Sequence, residues 1–191
     1  QGTIDGAILP AQLVDIFDRG DQARVPVIVG YNAHEYRPEG GLGLTMPATP
    51  ERYEAMIEAT FGDLAPEFLR IYPHAQGADA LLDATGDTIF GWSGERIARG
   101  QDALGLASYF YVFDHCYPSA RARDLCAFHA SEVPFTFGNL GAEAMPARWP
   151  VPDGEHDRAV SDAMLDYWTS FAATGQPSAP GSPAWQPYAA Q

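Results

Sequence analysis

Val25-Pro26-Val27-Ile28-Val29-Gly30-Tyr31-Asn32-Ala33-His34-Glu35 is the stretch on which the fold turns. Its first six residues are apolar, rich in β-branched side chains and stopped by Gly30, a pattern that predicts a strand over 25–30. No polar residue interrupts the run, so burial on both faces is expected, as in a parallel sheet. Residues 31–35 are expected to follow as a loop at the strand's carboxyl end. A second run, Ala107-Ser108-Tyr109-Phe110-Tyr111-Val112-Phe113-Asp114, predicts another strand. Apolar strands need neighbours on their edges, and the rest of the chain offers only weak candidates. Helical segments outnumber the strands they should cover. The plainest reading is part of a larger α/β sheet whose other strands lie elsewhere.

Working outward, Thr49-Pro50-Glu51 opens a helix: Thr49 caps, Pro50 fits the first turn and Glu51 suits the positive dipole end. Tyr53, Met56, Ile57 and Phe61 form its apolar stripe. Residues 66–72 and 79–99 also read as helical, the latter punctuated by Gly86, Gly91 and Gly94. Residues 15–24 are polar and end a short amphipathic stretch. After the second strand a long loop runs through His129 to Pro152. The clearest helix carries Val160, Met164, Tyr167, Trp168 and Phe171 on one face and is stopped by Gly175 and Pro177. The Pro-, Ser- and Ala-rich tail has Trp185 and Tyr188 as its anchors. No internal repeat is present.

The 191 residues correspond to one or two domains and suffice for a sizeable core. With 46% hydrophobic and 19% charged residues, the composition is globular and not disordered. No apolar run approaches the about 18 residues of a membrane span. The net charge of −14 argues against a nucleic-acid partner, which needs basic surface. All 11 basic residues are Arg, read here as a coding bias. Residues 1–6 lack the basic start and apolar centre of a signal peptide. Gln1 therefore reads as a processing site or an internal cut. Cys116 and Cys126 form no CxxC and no zinc-finger spacing with His, so they are either free thiols or one small closed loop.

Sites in open α/β sheets lie beyond the carboxyl ends of strands. The first strand leads to Glu35 and the second, after a loop, to Ala127-Phe128-His129-Ala130-Ser131-Glu132-Val133-Pro134-Phe135. An acid followed by a histidine fits the last two members of a nucleophile–acid–base triad in the chain order Ser, Asp or Glu, His. In such a triad the imidazole takes the serine proton, and the carboxylate fixes its tautomer and stabilises the imidazolium.

Several segments then coincide with one family. Asp5-Gly6 with Leu9-Pro10 resembles "DG…LP". Residues 25–35 resemble "VP(V/L)(L/I)xGxNxDEG", and residues 128–138, Phe128 to Gly138, resemble "FHGxELPYVFG". Tyr167-Trp168-Thr169-Ser170-Phe171-Ala172 with Thr174-Gly175-Gln176-Pro177 resembles "YWxNFAxTGxPN", and Trp185-Gln186-Pro187-Tyr188 the closing "WPxY". In order and over nearly its whole length, the chain resembles the C-terminal part of a type B carboxylesterase, the cholinesterase-like branch of the α/β hydrolases. The resemblance implies Glu35 as triad acid and His129 as triad base. His34 and Tyr36 depart from the residues usual on either side of the acid, so the local turn is open to difference. Asp5 and Asp114 are weaker alternatives for the acid.

The nucleophile is not found. Gly91-Trp92-Ser93-Gly94-Glu95 is the nearest approach to a Gly-x-Ser-x-Gly elbow, but it ends in Glu, follows no apolar strand and lies between acid and base. A "HGGG"-type oxyanion segment is absent too. By the resemblance, both belong to an N-terminal portion, read as a separate cut chain. Glu132 is expected to be a buried carboxylate that shapes the His129 loop, with a second relay acid as the alternative. Phe90, Trp92, Phe135 and Phe137 are candidate linings of a substrate pocket, with plain core as the competing reading. His34, His74, His115 and His156 show no metal-ligand spacing, so no metal and no cofactor are expected. A Cys116–Cys126 bond would restrain the loop leading to His129 and favour a secreted or periplasmic setting.

The expectation is therefore α/β: residues 1–191 as the C-terminal segment of a single α/β-hydrolase catalytic domain. It supplies the last sheet strands, a helical insertion over 49–105 and the C-terminal helix, and is incomplete without its N-terminal portion. The expected function is serine-dependent hydrolysis of a small-molecule carboxylic ester through an acyl-enzyme. The alternative is a non-catalytic cholinesterase-like adhesion or binding protein, which the retention of both triad members disfavours. An independently folded domain is disfavoured by the unpaired strands. Homo-oligomer formation is left open.

Overall fold

The computed structural model describes residues 4–36 and 47–189. Two parallel strands, β1 (Val27–Asn32) and β2 (Ser108–Phe113), pair in register from Val27 opposite Ser108 to Asn32 opposite Phe113. β1 begins and ends two residues later than the apolar run predicts. Pro26 has no N–H to give to a ladder, and the N–H of Val25 turns back to the Ala23 carbonyl at 3.0 Å. The ladder opens instead at Val27, whose N–H reaches Ala107. Tyr31 and Asn32, expected in a loop, are held as strand by Val112 and Phe113. Pairing even outruns β1: Ala33 donates to the Phe113 carbonyl at 2.9 Å, and His34 forms an isolated bridge to Phe128.

Burial of β1 on both faces is not achieved by this chain alone. Val27 to Tyr31 are half-buried, and Val112 on β2 is 46% exposed. Among the described residues no further strand joins either edge. Each face does carry a helix. On one, Gly94 of α5 (Trp92–Ala103) lets the helix approach Val29 and Phe110. On the other, α8 (Glu155–Thr174) packs Trp168 edge-on against Tyr111 and Phe171 against Tyr109. The main core lies on that side, built from Phe113, Tyr117, Ala120, Ala127, Phe135 and Met164. The predicted apolar face of α8 also carries two buried polar groups. Ser161 donates to the Phe135 carbonyl, and Asp157 accepts the Gly154 N–H as an N-terminal cap. Gly175, at φ 77°, ends the helix in a left-handed turn.

Between the strands run α2 (Pro50–Phe61), α3 (Ala65–Ile71), α4 (Ala78–Gly86) and α5; α1 (Leu13–Arg19) precedes β1. Tyr53 and Ile57 of α2 are buried with Ala65 and Ala80, but Met56 and Phe61 of the expected stripe are more than a third exposed. Phe61 still stacks on Phe68 of α3, with ring centroids 4.4 Å apart. A π-turn, Asp87–Gly91, joins α4 to α5 without leaving helical dihedrals, so the glycines do not break the path. Asp87 on this turn accepts the hydroxyls of Tyr31 at 3.0 Å and Tyr72 at 2.6 Å, tying it to β1 and to the residue that ends α3. The loop after β2 contains two short helices, α6 (Pro118–Arg121) and α7 (Val133–Thr136). Trp185 packs among Tyr109, Tyr111, Tyr167 and Trp168, and Tyr188 bonds to Ser108 and Glu95, so both anchor the tail as predicted. No described helix is long and apolar enough to cross a membrane.

Candidate active site

Glu35 lies three residues beyond β1, where the chain curls back so that the Asn32 N–H donates to Glu35 Oε1 at 2.8 Å. That bond fixes one carboxylate oxygen. The other, Oε2, stands 2.6 Å from Nδ1 of His129. A carboxylate only accepts, so Nδ1 carries a proton, and in the neutral imidazole Nε2 keeps its lone pair. The two side chains differ sharply in exposure: 6% for Glu35 and 64% for His129. A buried acceptor therefore holds an imidazole that is largely exposed on this chain.

The chain leading into His129 is held at two points. Cys116 and Cys126 are joined by a disulfide, with Cα atoms 4.6 Å apart. The bridge to His34 pins Ala127 and Phe128 to the end of β1. Ala127 and Ala130 both take positive φ, 45° and 65°. Ala130 stands where the "FHG" pattern has glycine, and an L-residue there costs about 1–2 kcal/mol. Strain of this kind is tolerated where the surroundings over-determine the backbone. Asn32, 1% exposed, is one such restraint: its Nδ2 donates to the Phe128 carbonyl at 2.8 Å and to Glu132 Oε2 at 2.5 Å. In the sequence Asn32 is no more than one letter of the 25–35 motif. Its buried position at the strand's end gives it these contacts.

Glu132 is half-buried and bonded to Asn32. The Tyr111 hydroxyl is pushed up to about 12, by burial first and then by the negative charge of Glu132 and Glu35. The Phe90 ring, on the π-turn, lies 5.5 Å from the His129 ring. Of the other aromatic candidates, Trp92 is over half exposed beneath Arg96, and Phe137 is two-thirds exposed. Phe135 is a correction: it has no exposed surface and packs among Phe113, His115 and Tyr117, so in this chain it is core and not a pocket wall. Its position one turn into α7, facing α8, decides that.

Ser93 sits on the exposed side of α5 within the continuous helix, not at a strand-to-helix elbow. Asp5 accepts the N–H groups of Ala7, Ile8 and Leu9 in an exposed turn, which lowers its carboxyl below the usual range, and Asp114 is exposed. The other histidines have local partners: His34 pairs with Asp83 at 3.1 Å, His74 with the Pro47 carbonyl, and His115 with buried Asp157 at 2.7 Å, beside the His156 ring. Among the described residues no group of three His, Cys, Asp or Glu is placed to hold a metal.

Parallel strands crossed over by helices, covered by helices on both faces and delivering polar residues at their carboxyl ends, form the C-terminal part of an α/β-hydrolase fold. A carboxylesterase of Geobacillus stearothermophilus superposes on 97% of this chain with a TM-score of 0.71 and 27% identity; the match takes in 39% of that protein. The chain belongs to the carboxylesterase family, whose match covers residues 1–191. It is 28% identical to human carboxylesterase 5A in an alignment 204 positions long that covers 97% of this chain and 35% of the relative. It is 31% identical to fumonisin B1 esterase of Sphingopyxis macrogoltabida in an alignment 180 positions long that covers 91% of this chain and 32% of the relative. The chain spans about a third of the length of these curated relatives.

Proposed function

We propose that this chain supplies the acid and base of a serine carboxylic ester hydrolase, with Glu35 as acid and His129 as base. The nucleophilic serine and the oxyanion hole belong to an N-terminal portion of the same catalytic domain, and residues 49–105 are a helical insertion in it. The observation that carries the reading is the 2.6 Å contact between buried Glu35 and exposed His129 at the carboxyl end of a parallel strand pair. Membership of the carboxylesterase family favours an ester as substrate.

The chemistry follows from the free Nε2. As a serine Oγ attacks the ester carbonyl, Nε2 accepts its proton, and the Glu35 carboxylate stabilises the imidazolium through Nδ1–H. The tetrahedral intermediate collapses as His129 returns the proton to the leaving alcohol, leaving an acyl-enzyme. Water then repeats the sequence: its proton goes to Nε2, its oxygen to the acyl carbon, and the serine leaves reprotonated. Exposure of His129 on this chain leaves room for the serine-bearing portion to cover it.

The test is hydrolysis of short p-nitrophenyl esters by the full-length protein and by its His129→Gln variant. The reading expects activity in the first and a loss of several orders of magnitude in kcat in the second. Unchanged activity of His129→Gln would remove the basis of the proposal.

A further inference from the structure

Resting on the assignment of Glu35 and His129, we infer that Asn32 is the positioning residue that sets the distance between them. Three bonds meet on this one buried side chain and its own backbone. The Asn32 N–H holds Glu35 Oε1, one Nδ2 hydrogen holds the carbonyl of Phe128, the residue before His129, and the other holds Glu132, three residues after it. Acid and base are 94 residues apart in the chain, and Asn32 touches the immediate surroundings of both.

The orientation of the amide is fixed by chemistry. Turning it over would set Oδ1 against the Phe128 carbonyl and the Glu132 carboxylate, two groups that only accept. Both donors are used, whereas Oδ1 is buried without a partner. The site therefore selects a short side chain with two donors on one atom, at the cost of one unmet acceptor. Asp has the same shape and no donor. Ser and Thr have one. Gln reaches a methylene too far. The restraint also explains how Ala127 and Ala130 are kept at positive φ on either side of the histidine.

Asn32 touches no reacting atom in this scheme, so its removal should act through geometry. A displacement of about 1 Å in a catalytic pair can cost about 10²-fold in rate. In the full-length protein, Asn32→Asp and Asn32→Ala should lower kcat by about that factor with KM within a few-fold. They should also abolish the far-downfield proton resonance of His129 Nδ1–H in the ¹H NMR spectrum. Glu132→Gln keeps an acceptor for Asn32 and should retain at least about ten times the kcat of Glu132→Ala.

Folded Asn32 variants with wild-type kcat and an intact resonance overturn the inference. If the Asn32 variants do not fold, the Glu132 pair decides: equal kcat in Gln and Ala overturns it, and rescue by Gln supports it. Failure of the ester-hydrolase reading looks different. There the wild type turns over no ester, while the resonance and its loss in Asn32→Asp still report on the positioning.

Discussion

Gly30→Ala should separate the two strands and with them the candidate acid and base. A Cβ on Gly30 would lie 2.5 Å from Tyr111 Cγ and closer still to the Tyr111 carbonyl oxygen. Carbon atoms pack at about 3.5–4.0 Å, so β1 and Tyr111 must part by about 1 Å. Tyr111 cannot simply rotate away, because the nearest clash is with its backbone and its ring is wedged against Trp168 and Trp185. Overpacking of this kind costs about 1–3 kcal/mol. The functional consequence should be larger than the structural one. Gly30 is opposite Tyr111 in the ladder that delivers Glu35 beside His129, and a shift of about 1 Å there predicts a loss near 10²-fold in kcat. Thermal unfolding and ester hydrolysis of the full-length Gly30→Ala protein measure the two effects. An unchanged melting temperature with full activity would refute the close-packing argument.

Three further outcomes are expected. Glu35→Gln should keep the Asn32 bond yet present the wrong donor–acceptor pattern to Nδ1; kcat should fall by about 10³–10⁴-fold, read by ester hydrolysis at saturating substrate. Removing the disulfide as Cys116→Ser with Cys126→Ser frees a loop ten residues long and should cost about 2–3 kcal/mol in the loop-entropy model, measured by denaturant unfolding. Tyr31, Tyr111 and Tyr117 are each raised from the ordinary 10.0 to about 12, with burial the leading cause, aided by Asp87 for Tyr31 and Asp157 for Tyr117. Between pH 10 and about 12 the unfolded chain loses protons that the folded one keeps, so stability should be level below pH 10 and fall as pH rises through that window. Denaturant midpoints at intervals across it, with Tyr31→Phe flattening the fall, check the sign.

What was legible in the sequence was whatever depends on local pattern. The two strands announce themselves through unbroken apolar runs, and α8 through its spacing and Gly175. Glu35 and His129 stand out because each follows a strand within a specific string of neighbours. The shortfall has physical causes. β1 is displaced by two residues because a missing N–H on Pro26 outweighs the apolar pattern. Phe135 is a pocket candidate in sequence although aromatics are more often plain core, and its packing among Phe113, Tyr117 and His115 makes it core. The pairing of His115 with Asp157 spans 42 residues, and the bonds from Asn32 to Phe128 and Glu132 span 96 and 100. The Asn32 bonds come from the crossover and the His115 pairing from α8 folding back on β2, and neither leaves a local signature.

The most direct test of the central claim is to treat the full-length protein with a fluorophosphonate and map the labelled residue by peptide mass. The account predicts label on a serine N-terminal to residues 1–191, and none in the His129→Gln variant. Label on Ser93, or on any other serine of this chain, would contradict it.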